Sequence, residues 1–179
     1  GNVLITGNSP ASGSNDDIYT AKYAAANGML VWEHRYNRPG IGSSTDRVHG
    51  LAVDRDGNAI VTGRSGASIS DFDFYTVKYA AADGALLWEQ RYNGPGDASD
   101  YGANGMDGLA LDHAGNAIVT GSSTGSGGRR DFFTIKYAAA DGALHWEKRY
   151  NGAGNGIAVT VDRQDSTIVT GSVTGTGGT

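Results

Sequence analysis

Ten polar residues of ligand-binding type stand in segments that differ from one part of the chain to the next: Asp46, Arg47 and His49; Asp97, Asp100, Tyr101, Asn104 and Asp107; Arg129 and Arg130. Their chemistry defines what the protein could do. Asp97, Asp100 and Asp107 could offer oxygens to calcium, which takes six to eight such ligands; the bland alternative is Asx turns and solvated charges. Tyr101 offers a flat ring on which a sugar could stack. A pair of carboxylates at a suitable separation would suffice for glycoside hydrolysis, although the sequence singles out no such pair. "DRDGN" at Asp54–Asn58 begins like a calcium loop but lacks the remaining ligands and the distal glutamate. It recurs at a turn, so Asp54, Asp112 and Asp162 are expected to cap that turn.

Other chemistries find no footing. The chain of 179 residues has no cysteine, and His34, His49, His113 and His145 show no H-x-x-x-H spacing, so zinc-site spacing is lacking. Neither a G-x-S-x-G elbow nor a P-loop occurs. The net charge is −5 and the longest basic run is Arg129-Arg130, which gives no electrostatic footprint for nucleic acid. No apolar run approaches the roughly 18 residues of a membrane helix. The reading is of a non-enzyme with no cofactor, calcium being the one candidate ion.

The elements that would hold these residues repeat. "KYAAANGMLVWEHRYN" begins at Lys22, "KYAAADGALLWEQRYN" at Lys78 and "KYAAADGALHWEKRYN" at Lys136, placing Trp32, Trp88 and Trp146 at spacings of 56 and 58 residues. "NVLITG" at Asn2, "NAIVTG" at Asn58 and Asn116, and "STIVTG" at Ser166 recur out of phase with them. Such a period, with several strand-like runs per unit, signals a repeat architecture. With 29 glycines and 3 prolines, the composition suits short strands joined by turns.

Within one unit, "GLAV" (50–53), "AIVTG" (59–63), "FYTVKY" (74–79) and "LLWEQRY" (86–92) read as four antiparallel strands. Asn27-Gly28, Asp83-Gly84 and Asp141-Gly142 suit a two-residue type I′ turn. That turn predicts the register: Tyr23 faces Trp32, Tyr79 faces Trp88 and Tyr137 faces Trp146. It also sets Lys22 against Glu33, Lys78 against Glu89 and Lys136 against Glu147. The predicted fold is all-β, a β-propeller-like repeat of four-stranded antiparallel blades, with a β-solenoid as alternative. The chain divides into a partial blade of strands two to four with its loop (1–49), two blades with their loops (50–107 and 108–156), and a partial blade of strands one and two (156–179). Cut mid-blade in this way, it is expected to be covered at both ends by neighbouring chain, either further blades of a longer protein or identical copies.

The repeat resembles the bacterial β-propeller repeat labelled SBBP, in a "D-x-x-GN-x-x-x-TG" stretch (Asp54, Gly57, Asn58, Thr62, Gly63), then Asp73, Lys78, Gly84 and Trp88. The resemblance covers essentially the whole chain and implies a propeller in a secreted or cell-surface bacterial protein, without an assigned reaction. The fourth unit departs, with "DRQDST" in place of the Gly-Asn turn. "AADGALLWE" is also similar to a segment of quinoprotein propellers, where the tryptophan locks blade to blade; it implies no quinone.

Turns such as "DRDGN", "DHAGN" and "AADG" repeat, while the connections on the opposite face diversify, and function gathers on loops held by a rigid frame. The expected function is therefore a non-catalytic extracellular or cell-surface scaffold or self-assembly module. The alternatives are a binding module for carbohydrate or another surface ligand on the variable loops, and a glycosidase or lyase on a propeller frame. The Ser/Thr-rich tail "GSVTGTGGT" could carry O-linked sugar.

Overall fold

The computed structural model describes residues 1–10, 16–39, 44–67, 71–96, 100–102, 108–150 and 154–173. The fold is all-β and its strands form antiparallel sheets arranged as successive blades. The first blade has three strands, β1 (Val3–Pro10), β2 (Asp16–Tyr23) and β3 (Leu30–Tyr36). The second is complete, in the order β4 (Thr45–Val53), β5 (Ala59–Gly66), β6 (Phe72–Tyr79) and β7 (Leu86–Tyr92). In the third, β8 (Tyr101–Gly102) and β9 (Leu109–Leu111) both pair with β10 (Ala117–Thr124), which continues to β11 (Arg130–Tyr137) and β12 (Leu144–Tyr150). Two strands, β13 (Gly154–Val161) and β14 (Thr167–Val173), form the inner half of a fourth.

The hydrophobic core lies between blades rather than within one. Side chains alternate across a strand, and here both faces are apolar. Ala59, Val61, Tyr75, Val77 and Tyr79 of the second blade pack with Ile18 and Trp32 of the first. Ile60, Phe74 and Trp88, on the opposite face, pack with Ala117, Val119, Phe133, Ile135 and Tyr137 of the third. Consequently β6 is buried along its whole length. Its polar residues are paired: Thr76 Oγ1 lies 3.1 Å from Thr62 Oγ1, Asp73 meets Arg91 at 3.4 Å and Lys78 meets Asp54 at 2.9 Å.

The predicted hairpin register is overturned. Ala80 N donates to Ala85 O at 2.8 Å and Gly84 N donates to Ala80 O at 3.0 Å, closing a four-residue loop, Ala81 to Gly84. A type I′ turn needs positive φ at both central residues, but only the glycine has it, at +74° for Gly84, +70° for Gly28 and +72° for Gly142. Asp83 instead accepts the Ala85 N–H through Oδ1 at 3.0 Å. The longer loop shifts the pairing by one residue on one strand. Lys22, Lys78 and Lys136 therefore stand opposite Trp32, Trp88 and Trp146, while Ala21, Val77 and Ile135 oppose Glu33, Glu89 and Glu147. None of the expected Tyr–Trp or Lys–Glu cross-strand pairs forms.

The inner strands also reach further than their small-residue signature. β4 begins at Thr45, so Asp46, Arg47 and His49 lie in a strand instead of the preceding loop, and the bulge between Val48 and Gly50 places His49 at the irregularity. β13 begins at Gly154 with a matching bulge between Gly156 and Ala158.

Candidate functional site

The residues that recur with the period converge on the junctions between blades. Each junction has three parts, beginning at the turn. Asp54 Oδ1 accepts the N–H groups of Asp56 (3.0 Å) and Asn58 (2.9 Å), and its Oδ2 accepts Asn58 Nδ2 at 2.9 Å. Asn58 Oδ1 in turn accepts Ala81 N at 2.9 Å, tying the inner turn to the outer one. Asp112 and Asn116 repeat this arrangement toward Ala139. Lys78 and Lys136 close it with ion pairs to Asp54 at 2.9 Å and Asp112 at 2.6 Å. Burial pushes both carboxyls up, but the lysine ammonium and the asparagine hydrogen bonds outweigh it and hold them below the ordinary range. In the fourth unit Asp165 takes the glycine position of the turn at φ 63°, a conformation aspartate tolerates better than most residues. Its Oδ1 meets His113 Nδ1 at 2.6 Å.

The second part is the tryptophan. Having lost its cross-strand tyrosine, Trp32 points at the next blade, with its ring 6.1 Å from that of Tyr79 and its Nε1 donating to Ala81 O at 3.4 Å. Lys22 Nζ donates to the same carbonyl at 2.5 Å. One unit on, Trp88 lies 6.3 Å from Tyr137, and Trp88 Nε1 and Lys78 Nζ share Ala139 O at 3.2 and 2.8 Å. The indole is seated against the loop glycine. A Cβ added to Gly84 would fall 2.7 Å from Trp32 Cδ2, and one on Gly142 would fall 2.8 Å from Trp88 Cδ2. Glycine there serves both the left-handed φ and the seat.

The third part is an arginine. Arg91 donates to Ser65 O at 3.2 Å, meets Asp73 at 3.4 Å and reaches the Tyr36 hydroxyl of the preceding blade. Arg149 meets Ser123 O at 2.7 Å, Asp131 at 3.3 Å and the Tyr92 hydroxyl at 3.3 Å. Tyr36 stacks on Tyr75 with centroids 3.9 Å apart, as Tyr92 does on Phe133 at 4.5 Å. Glu33 and Glu89, freed of their predicted lysines, accept the hydroxyls of Tyr19 (2.5 Å) and Tyr75 (2.8 Å). Burial is the main cause that raises the Tyr75 pKa, and it helps push Tyr79 up to about 12.

The sequence-predicted ligand candidates do not form one cluster. Asp46 is fully buried; its Oδ2 accepts Arg38 N at 3.0 Å and Ser44 Oγ at 3.1 Å. Asp100, its counterpart one unit on, is also fully buried and accepts Thr124 N through Oδ1 at 2.8 Å and Gly94 N through Oδ2. Burial raises both carboxyls, against the donors that lower them. These aspartates clasp the connections that lead into the inner strands. Arg47 pairs with Asp16 of the preceding blade at 3.2 Å. Tyr101 lies in β8 by its backbone, while Asp97, Asn104 and Asp107 lie outside the described residues. Arg129 and Arg130 are exposed at the β10–β11 hairpin. Arg129 lines a cleft of about 300 Å³ together with Pro95, Gly125, Ser126, Gly127, Asp131 and Arg149. Among the described residues no group of three His, Asp or Glu is placed to hold a metal ion.

Sequence reasoning missed Arg35, Arg91 and Arg149, and their tyrosines Tyr36 and Tyr92. The signal was present in the recurring "W-E-x-R-Y", but only its tryptophan and glutamate were assigned roles. Comparison with protein-family models and with curated proteins finds no match for the chain.

Proposed function

We propose that this chain is a non-catalytic scaffold that works by joining blades to blades, both along the chain and between chains. The observation that carries this reading is the lock just described. The same tryptophan, lysine, arginine and glycine positions are used at two successive junctions, so the recurring polar residues serve cohesion. Asp46 and Asp100, fully buried where the connections enter the inner strands, each accept a backbone N–H, which suits a structural clasp. The likeness to the SBBP repeat supports a bacterial extracellular or cell-surface setting. Light scattering with electron microscopy tests the proposal: rings or filaments of several copies are expected, and a monodisperse monomer at all concentrations opposes it.

The cleft beside Arg129 favours a second reading, a binding module for a carbohydrate or another surface ligand. It predicts a hit on a glycan array that Arg129→Ala abolishes while assembly is unchanged.

A further inference from the structure

The second and third blades carry the same arginine site, built alike but filled differently. Pro39 and Pro95, Asp73 and Asp131, and Arg91 and Arg149 stand at matching positions of the repeat. In the second blade a further arginine completes the site. Arg38 Nη1 lies 3.4 Å from both Ser65 O and Asp73, and 3.9 Å from Asp71. Asp73 and Ser65 O are thus each met by the guanidinium groups of Arg38 and Arg91.

The third blade departs at both ends of that second ion pair. Gly94 stands where the second blade has Arg38, and Arg129 stands where it has Asp71. Asp131 and Ser123 O keep the guanidinium of Arg149 alone, at 3.3 and 2.7 Å. The position from which Arg38 reaches its acceptors carries no side chain here. A cleft of about 300 Å³ lies against Pro95, Asp131 and Arg149, and Arg129 borders it. A Cβ added to Gly125 would fall 2.8 Å from Asp131 Oδ2, so glycine leaves that oxygen uncovered on the cleft side.

The charge changes with the shape. Arg38 and Asp71 cancel, as do Asp131 and Arg149, but Gly94 and Arg129 leave one positive charge uncompensated. Among the described residues no carboxylate or carbonyl engages the Arg129 guanidinium. Its backbone is nevertheless fixed, because Gly125 N donates to Arg129 O and Gly128 N to Gly125 O, both at 2.9 Å. The cleft therefore offers a held cation beside an aspartate with acceptor capacity to spare.

From these differences, and resting on the binding-module reading, we infer that the cleft takes a uronic acid unit of an acidic glycan. Arg129 meets the carboxylate, and Asp131 accepts from the neighbouring hydroxyls. The planar fork of arginine matches a carboxylate in two parallel hydrogen bonds. One uncompensated charge suits a ligand with one negative charge per unit, and hydroxyl groups satisfy Asp131 without adding another. The volume is at the lower end of small-molecule sites, the scale of a sugar unit. The described residues lining the cleft include no aromatic ring, so a neutral sugar would find no stacking face and the carboxylate is what distinguishes the ligand.

NMR titration of the ¹⁵N-labelled chain tests this with uronate oligomers (galacturonate, glucuronate and mannuronate), their methyl esters and a glutamate-rich peptide. The expected result is saturable shifts at the amides of residues 125–131 with at least one uronate, and binding of its ester weaker by about tenfold or more. Arg129→Asp, which installs the second blade's residue, abolishes the shifts. Arg129→Lys, which keeps the charge and loses the fork, retains part of the affinity. Arg55→Asp makes the same change of charge at the exposed β4–β5 turn and binds as wild type. Unchanged spectra away from the cleft show that each variant is folded. Equal binding of acid and ester, or wild-type binding by Arg129→Asp, overturns the uronate site and leaves the binding-module reading in place. Equal loss in Arg55→Asp reduces the effect to net charge and overturns it as well. Preference for the peptide overturns the sugar assignment. Shifts with none of the probes overturn the inference, and the binding-module reading falls with it only if a glycan array is also blank.

Discussion

The loop glycines supply a matched set for testing the tryptophan seat. Gly28, Gly84 and Gly142 share a left-handed φ, between +70° and +74°. Alanine at any of them meets the same backbone penalty, about 1 kcal/mol for a side chain in that region. The surroundings differ. At Gly84 the new Cβ would stand 2.7 Å from Trp32 Cδ2 and 2.9 Å from His34 Nε2; at Gly142, 2.8 Å from Trp88 Cδ2; at Gly28, in open space. The nearest atoms at Gly84 and Gly142 are ring atoms of buried indoles, not the ends of flexible chains, so overpacking adds about 2 kcal/mol. Gly28→Ala should therefore cost about 1 kcal/mol and the other two about 3 kcal/mol each. For a chain of this size those losses correspond to falls in Tm of about 3 °C and about 9 °C. Urea unfolding at low micromolar concentration, followed by tryptophan fluorescence, reads the difference. Equal losses at the three positions would refute the seat, because the φ penalty alone would then explain them.

The remaining expectations concern buried charge. Lys78→Met strands Asp54 in a site where the two side chains are 8% and 6% exposed, and should cost about 3–5 kcal/mol in thermal unfolding. Lys22→Met, which loses a hydrogen bond to a carbonyl and no ion pair, should cost about 1.5 kcal/mol. The folded pKa values of Asp54 and Asp112 are held down, so their stabilisation is present above the unfolded value near 3.9 and is lost as pH falls through the folded values. The stability gap between wild type and an Asp54→Asn/Asp112→Asn double variant should be widest near neutrality and close below about pH 4; a constant gap in acid unfolding titrations would contradict the assignment. Asp100→Ala leaves Gly94 N and Thr124 N buried without acceptors and should cost about 2–4 kcal/mol, with faster hydrogen exchange at both amides.

The strands were legible because their signals are local. Alternation, β-branched runs and Asp/Gly/Asn turns placed the four strands of the second blade, and β4 ran past its signature because its first residues, "TDRVH", are polar apart from Val48. Asp46 illustrates the difficulty. In sequence it is a loop carboxylate beside Arg47 and His49; in the fold it is buried and holds Arg38 N and Ser44 Oγ. Nothing in the composition of "SSTDRVH" distinguishes an aspartate that binds a ligand from one that binds the backbone. The hairpin register failed for a different reason. Asp-Gly was read as a complete two-residue turn when it closes a four-residue one, and a slip of one residue sends every side chain to the other face.

That slip has a consequence peculiar to repeats. In a periodic sequence, a pair of residues within one unit and the same pair taken one unit apart leave identical traces. Tyr79 and Trp88 recur at a fixed spacing whether Trp88 meets Tyr79 across its own hairpin or Tyr137 across the junction; the chain takes the second course. The choice decides what the motif is for. A tryptophan paired inside its blade would stabilise each unit alone and leave little reason for units to adhere. Turned outward, it makes a blade depend on its successor, because its indole N–H and its lysine both find their acceptor on the next blade's loop. Stability is then a sum over interfaces more than over units. Loss of one tryptophan should accordingly loosen the blade that seats it as well as the blade that carries it. Hydrogen exchange in a Trp88→Ala variant checks this: exchange should quicken in β10 and β11 of the next blade as well as in β7, while β1 and β2 keep wild-type protection. Acceleration confined to β7 would place the tryptophan's contribution within its own blade and refute the outward lock.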